Sequence, residues 1–486
     1  MTETQSYLVL DQRIVTQTDG LTLTPGPVEK SPANPLFSED YFAEPPRRWE
    51  ARYDNLYPNV VYDPQSGDSA RSFRLWYNVF IRDKQSEITP LEARPTTEYR
   101  GDAGREDGLL YGESADGTAW VKPSLGIVEF DGSKENNIVM DTASNGFHGA
   151  GILFDPEDPD SGKRFKAFFR NSRDRRMAVA FSPDGLHWSA SQNWPEHDAV
   201  GDTHNNAIRM PDGTYVGITR GWVGPKDERV RAVLRTESTD FMHWSEPIEV
   251  MRGANQHDQI YSMPVFRVGV TYLGLPAVFH KGDKTAADWD TVDTELAWSP
   301  DTISWNRVST GQPLIPRGSG TYADGAYDCG CIYAAAPVLV GDKHHIYYGG
   351  SNGLHNGFRE GSFCLATLPR DRFAGYAAPA GGSPAGDTGR LVTAPFVAGP
   401  GGIALNVDIA PGGRVEAALL GPDGTPITRF DRESSVRIED GGLDVPVPWG
   451  RAISSLSGRE VRVELELSGA TVYAIGGDLQ FTGGLS

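Results

Sequence analysis

The sequence predicts an all-β chain, a five-bladed β-propeller followed by a small C-terminal β-sandwich, and three observations point there. Helix-period patterning is nearly missing from the 486 residues. Short runs of aromatic and β-branched residues recur between clusters of Gly, Asp, Asn and Pro, the pattern of many short antiparallel strands. The turn Ser-x-Asp-x-x-x-Trp appears four times, at Ser114, Asp116 and Trp120, at Ser182, Asp184 and Trp188, at Ser238, Asp240 and Trp244, and at Ser299, Asp301 and Trp305. Such recurrence marks a repeat architecture.

Set on that turn, the chain divides into five units. Each opens with polar residues that lead into a first apolar strand, within 54–64, 147–156, 202–208, 258–266 and 328–334. A second strand follows at 73–80, 164–170, 214–219, 271–276 and 344–348, and a third at 108–113, 176–181, 231–236, 294–298 and 361–367. In the turn, the Asp or Ser side chain accepts from backbone N–H groups and the Trp packs between sheets, so the motif is read as structural. Units of three or four strands that cannot bury both faces alone bury them by stacking radially around an axis. Unit one carries an insertion at 83–105 between its second and third strands.

Residues 1–45 are expected to pack on the propeller or close its ring, with 7–10 and 13–15 supplying an outer strand. The propeller is expected over 46–373, a Gly-, Ala- and Pro-rich linker over 374–390, and the sandwich over 391–486. That last stretch alternates short strands with turns such as Pro411-Gly412-Gly413 and Pro422-Asp423-Gly424.

Sixty-five Asp and Glu against 45 Lys and Arg give a formal charge of −20. A surface of that sign repels phosphate backbones and anionic lipid, so neither nucleic acid nor membrane is expected as a partner. A neutral oligosaccharide or glycoside is, and a polyanionic one would need arginines gathered locally. No apolar run approaches the roughly 20 residues that cross a bilayer. The opening residues show no basic stretch followed by an apolar core, so no secretory leader is read there. Three clustered cysteines, Cys329, Cys331 and Cys364, are too few to staple such a chain, which favours a reducing compartment and a cytoplasmic location. Their spacing matches no usual zinc site, and no metal is assigned.

In a propeller the innermost strands face the axis, so residues that start the five first strands converge on one funnel. Delivered there are Asp54 and Asn55, His148, Asp202 with His204, Asn205 and Asn206, Asp258 with Gln259 and Tyr261, and Asp324 with Asp328. Carboxylates among such neighbours suit a glycosidic bond: one acid protonates the leaving oxygen, a second carboxylate is base or nucleophile, and donors grip hydroxyls. Asp54, Asp202 and Asp258 are therefore the catalytic candidates. Asn55, His148, His204, Asn205, Gln259, Tyr261, Asp324 and Asp328 are the substrate-binding candidates. Close carboxylates push one another's pKa values apart, which lets one hold a proton while another is ionised. Arg52, Arg170 and Arg220 are placed at the rim or beside the acids. No cofactor is expected; a central calcium ion is compatible with the His and Asp residues, but no spacing calls for one. Phosphate-loop, His-Glu-x-x-His and Gly-x-Ser-x-Gly motifs are missing.

Further segments carry a family resemblance: Lys30-Ser31-Pro32-Ala33-Asn34-Pro35 leading to Trp49-Glu50, the run from Leu125-Gly126-Ile127-Val128-Glu129 to Asn136-Asn137-Ile138, and the Asp-x-x-x-Trp turns. With these the chain resembles the five-bladed propeller glycoside hydrolases of families 32, 43, 68 and 130, and most of all bacterial family-32-like proteins. The resemblance implies an acid on the first inner strand as nucleophile or base, which maps onto Asp54. No inner strand opens with Glu, so the implied proton donor is Asp202 or Asp258. It also implies furanoside substrates such as fructosyl or arabinosyl groups, although the Trp-x-Asn-Asp-Pro-Asn-Gly and Arg-Asp-Pro motifs of fructosidases are missing.

Two other readings stand beside a glycoside hydrolase. One is a propeller that binds carbohydrate without cleaving it. The other is a sialidase-like enzyme, which needs three arginines around a carboxylate and a Tyr nucleophile; the inner strands do not supply three arginines.

Overall fold

Strand after strand pairs with its neighbour along the chain. In the computed structural model, which describes residues 6–101, 103–322, 324–378, 388–434, 437–449 and 451–482, the first unit is a five-stranded sheet. Its main path runs Ile138–Asp141, Glu106–Ser114, Phe73–Arg82 and Asn59–Tyr62, with Trp120–Val121 paired to Glu106–Ser114. The second contains Gly151–Phe154, Phe165–Asn171, Arg176–Ser182 and Gln192–Asn193, and the third Asn206–Arg209, Tyr215–Val223, Val230–Ser238 and Ile248–Arg252. A fourth separate sheet holds Val265–Val268, Thr271–Gly274, Ala297–Ser299 and Asn306–Arg307. The fold is all-β with a propeller-like arrangement of these sheets.

The apolar cores lie between consecutive sheets, as radial stacking requires. Trp76 and Tyr111 of the first sheet pack with Phe165 and Ala180 of the second. Phe168 and Val179 of the second pack with Tyr215 and Trp244 of the third, and Val216 and Val233 of the third with Val265 and Ala297 of the fourth.

The repeated turn explains both its own sequence and the contact to the next sheet. Asp184 Oδ1 accepts from the backbone N–H groups of Leu186 and His187 at 2.8 and 2.9 Å, and the Trp188 indole donates to the Gly185 carbonyl at 3.0 Å. Asp116, Asp240 and Asp301 make the same paired contacts. The preceding unit then reaches in: Trp76 Nε1 donates to Gly185 O at 2.7 Å, Tyr347 OH to Gly117 O at 2.9 Å, and Arg235 Nε to Thr302 Oγ1 at 2.8 Å. Gly185 has φ +79°, and a Cβ there would lie 2.5 Å from the Trp76 ring, so both the backbone and the close approach call for glycine.

Unit four departs from expectation. Each of its three predicted strands is broken: Asp258–Ser262 from Val265–Val268, Thr271–Gly274 from Ala277–His280, and Val292–Thr294 from Ala297–Ser299. Pro264 and Pro276 stand in two of the gaps and have no N–H to give a ladder. The inner pieces continue instead into a nine-stranded sheet, through the bridge Val292↔Cys331, with Cys331–Ala334, Lys343–Ser351 and Gly361–Pro369.

Residues 7–10 and 13–15 do not close the ring. Ser6–Leu8 pairs with Glu460–Phe481, and Val15–Asp19 with Gly389–Thr393, both in the C-terminal eight-stranded sheet. The outer strands on Gly361–Pro369 come from Glu29–Lys30 and Phe37–Ser38. The expected linker is also corrected at its ends, because Ala374–Ala377 pairs with Thr22–Pro25 and Gly389–Thr393 is a strand; residues 379–387 lie outside the described residues. In the C-terminal sheet Leu405 faces Ile475 and Ala417 faces Leu465 across two long strands, Phe396–Leu420 and Glu460–Phe481. Their buried residues share one apolar core with Tyr7, Val9 and Ile14.

Candidate active site

The starts of the first strands and the insertion at 83–105 surround a cavity of about 780 Å³. Asp54, Asn55, His148, Asp202 and Tyr261 line it, so five of the expected site residues are brought together.

Asp54 sits in a tight backbone bend just before Asn59–Tyr62. Asp54, Leu56 and Tyr57 have φ of 40°, 59° and 40°, a left-handed run that is costly for side chains of this size and persists only where the surroundings enforce it. Here the bend is tied by Leu56 N–H to Tyr53 O at 2.7 Å and Asn78 N–H to Leu56 O at 2.7 Å. The Asp54 carboxylate accepts from Arg52 Nε at 3.2 Å and from an Arg359 Nη at 2.9 Å. Burial by itself would raise its pKa, but Arg359 and Arg52 outweigh it and hold the carboxyl at about 2. Asn55 is locked by Arg359 at 2.6 Å and by its own bond to Tyr57 OH at 2.7 Å.

Asp202 is placed across from His148. One oxygen meets His148 Nε2 at 3.0 Å and the other accepts from Arg220 at 2.7 Å. His148 Nδ1 lies 3.2 Å from Asp107 Oδ1, so the imidazole bridges two carboxylates. Burial opposes its charge, yet Asp107 and Asp202 raise the His148 pKa well above the usual histidine value. Burial likewise opposes the charge on Asp202, and His148, Arg220 and Arg170 overcome it, leaving that carboxyl well below the usual range. Asp54 and Asp202 are thus each held ionised by their own cations, whereas mutual repulsion was expected to raise one carboxylate of the site.

Tyr261 lies beneath the Arg220 guanidinium, 4.7 Å from its ring centroid. Against it packs His355, 4.8 Å between ring centroids, and His355 Nδ1 is 2.6 Å from Tyr333 OH. Burial and Arg359 push the His355 pKa well below the usual value. A neutral His355 that accepts from Tyr333 carries its proton on Nε2, as a donor at the cavity wall.

The remaining expected residues do not line the cavity. Asp258 bonds His280 Nδ1 at 2.9 Å and Asn255 at 2.9 Å, and His280 Nε2 continues to Asp293 at 2.8 Å. Gln259 accepts from Arg231 at 2.9 Å and is 3 % exposed. Asn205 donates to the Gly149 and Gly201 carbonyls at 2.7 and 2.9 Å, holding two inner strands together. His204 is buried against Tyr57, 5.2 Å between ring centroids, and burial lowers its pKa to about 3. Asp328 is buried with Lys30 at 2.6 Å and Tyr348 OH at 2.9 Å. Asp324 is exposed in a turn. These six were expected here because they start inner strands that should converge on one funnel; in each except Asp324, a neighbouring strand or loop consumes the polar group.

Asp107, Tyr99, Arg105, His355 and Asn356 line the cavity and were not anticipated. Asp107 comes from a third strand, Tyr99 and Arg105 from the insertion, and His355 and Asn356 from the loop between Lys343–Ser351 and Gly361–Pro369. The position of the 83–105 insertion in unit one was the only sequence signal for any of them. Among the described residues, no group of three or more His, Cys, Asp or Glu side chains is placed to hold a metal ion, and no helix is long and apolar enough to cross a membrane.

No family model matches the chain, and no curated protein does. Solved structures similar to it include an N-acetylgalactosamine deacetylase from F. plautii in complex with blood group B trisaccharide, at 15 % identity and a TM-score of 0.44 over 73 % of this chain and 97 % of that one. A glycosyl hydrolase from Bacteroides ovatus matches at 15 % identity and 0.44, over 72 % and 97 %. The catalytic domain of a Coprinopsis cinerea GH62 α-L-arabinofuranosidase matches at 12 % and 0.40, over 72 % and 97 %. Likeness at this level carries nothing about activity or substrate.

Proposed function

We propose that the chain is a glycoside hydrolase whose reaction centre is the cavity holding Asp54 and Asp202. The observation that carries this is the pairing, in one cavity, of a carboxylate kept ionised by arginines with a second carboxylate bonded to a protonated imidazole. Hydrolysis needs both functions: a base or nucleophile at the anomeric carbon and a proton for the leaving oxygen. Asp54 takes the first part, attacking directly or drawing a proton from the attacking water. Asp202 relays to the leaving oxygen the proton that His148 stores between Asp107 and Asp202, since the pKa of His148 is raised and its Nε2 lies 3.0 Å from the Asp202 carboxylate. Tyr261, Asn356 and His355 then grip sugar hydroxyls.

In the same reading the propeller has five blades. The inner pieces of unit four form one blade with the separate outer sheet, and Cys331–Ala334, Lys343–Ser351 and Gly361–Pro369 form the fifth. The C-terminal sheet, folded over one apolar core, is a β-sandwich. The substrate is an oligosaccharide or glycoside, and fructosyl and arabinosyl furanosides, implied by the sequence resemblance, head the panel. A cytoplasmic location accords with three cysteines that are all free and buried.

Hydrolysis of a panel of aryl furanosides, aryl pyranosides, fructans and arabinans by wild type, Asp54→Asn and Asp202→Asn tests the proposal. An activity lost in both variants, with circular dichroism unchanged, supports it; an activity that survives both overturns it. A carbohydrate-binding module is the second reading, favoured by one observation: neither Asp54 nor Asp202 has the raised pKa of a ready-made acid.

A further inference from the structure

The chain is strongly acidic, yet the cavity is not. Four arginines, Arg52, Arg100, Arg105 and Arg170, line it against Asp54, Asp107 and Asp202. Arg220 and Arg359 stand directly behind, bonded to Asp202 and Asp54, and Arg231 lies over the Tyr261 ring at 5.3 Å. His148 adds a further positive charge. Local cations therefore exceed local carboxylates inside a molecule of formal charge −20, an inversion that general solubility does not require.

Most of these guanidinium groups have protein partners, and Arg170 is the exception. It lies near the end of the strand Phe165–Asn171, and its backbone N–H bonds the His148 carbonyl at 3.1 Å, which fixes it beside the proposed proton relay. Its side chain makes no hydrogen bond and no ion pair among the described residues, and its Nε is shielded from solvent without an acceptor. A guanidinium offers five donors in a planar fork that matches an oxyanion, and leaving buried donors unmet costs free energy. Nη1 of Arg52 and both Nε and Nη1 of Arg220 are likewise buried without acceptors. The neutral ligand expected from net charge is thus at odds with the charge the site itself presents.

We propose that the glycoside taken by this cavity is acidic, with an anionic oxygen group, the carboxylate of a uronosyl residue or a sulfate ester, seated on Arg170. The proposal rests on the glycoside reading above. It places the anion next to the Asp202–His148 pair, so the same group that binds also sets the orientation of the leaving oxygen.

The test separates charge preference from turnover. Calorimetric titration of wild type, Arg170→Gln and Arg170→Lys is done with three matched oligosaccharides: uronate-containing, sulfated and neutral. The expected result is an acidic ligand bound about ten- to a hundredfold more tightly than its neutral counterpart, the range of one to two charge-assisted hydrogen bonds. The ratio should collapse toward one in Arg170→Gln and be partly kept in Arg170→Lys. The tighter of the two acidic ligands identifies the oxyanion. Equal binding of neutral and acidic ligands, or a preference untouched by Arg170→Gln, overturns the proposal even if the protein hydrolyses neutral glycosides. Acidic preference without any cleavage keeps it while removing the hydrolase reading. Because no hydrogen bond or ion pair among the described residues holds the Arg170 side chain, Arg170→Gln should fold normally, and circular dichroism checks this.

Discussion

His148 Nε2 lies 3.0 Å from Asp202 Oδ1 while its other ring nitrogen lies 3.2 Å from Asp107, so one imidazole is clamped by two carboxylates, one on the strand Glu106–Ser114 and one in the loop before Asn206–Arg209. Both clamps favour the imidazolium. Asp107→Asn should therefore lower the His148 pKa, and the alkaline limb of the activity profile should move to lower pH. Nitrogen-detected NMR of the ring, followed from pH 5 to pH 10, reads the same shift directly. The clamp also bears on stability. Because the folded-state value is raised, its contribution is full below the unfolded pKa of about 6.5 and is lost as pH rises through the folded value. Asp107→Asn should accordingly flatten the alkaline fall of the denaturation midpoint.

Asp54→Asn should reduce the rate by about 10²- to 10⁴-fold, the range typical of a lost acid–base group. It keeps the shape of the side chain but leaves Arg52 and Arg359 without their carboxylate. A loss confined to kcat, with ligand binding retained, assigns Asp54 to the chemical step; a loss confined to KM assigns it to binding.

Asp258→Asn should leave kcat/KM within about twofold of wild type, as expected for a substitution away from the reacting groups. Its carboxylate serves His280 and Asn255 and does not line the cavity. Burial opposes the charge on His280, but Asp293 and Asp258 raise its pKa above the usual value. The variant should lower the pH at which His280 loses its proton, visible by NMR with activity unmoved.

Lys30→Met should destabilise the fold by about 3 kcal/mol, the lower end of what breaking a buried ion pair costs. Asp328 would be left buried with Tyr348 alone, at 1 % side-chain exposure, while Lys30 is 26 % exposed. The drop appears in the urea midpoint. The double variant Lys30→Met, Asp328→Asn should recover part of it, because no uncompensated charge remains.

What could be read from the residues was local. Asp184 and Trp188 act within one turn, so their spacing reports their structure, and Asp54, His148 and Asp202 were found because each opens a strand. Arg359 and His355 were not, since their loop carries no periodic signal and their partners Asp54 and Tyr333 are distant in sequence. Gln259 and Asn205 were misplaced for the converse reason: the start of an inner strand is also where neighbouring backbones need a polar side chain. Charge was legible only as a total, and a total does not say that Arg52, Arg105 and Arg170 gather on one side of the molecule.

The short stretch from Ser6 to Ser38 contributes strands both to the C-terminal sheet and to the nine-stranded sheet, with Ser6 opposite Gly476 and Phe37 opposite Phe363. It acts as a strap laced through both halves. Neither half can therefore melt without stripping edge strands from the other, and heating should give a single calorimetric transition in place of two. Pairings so distant in sequence also place the molecule among slow folders, and the two sheets that this strap joins cannot complete their edges until it is laced.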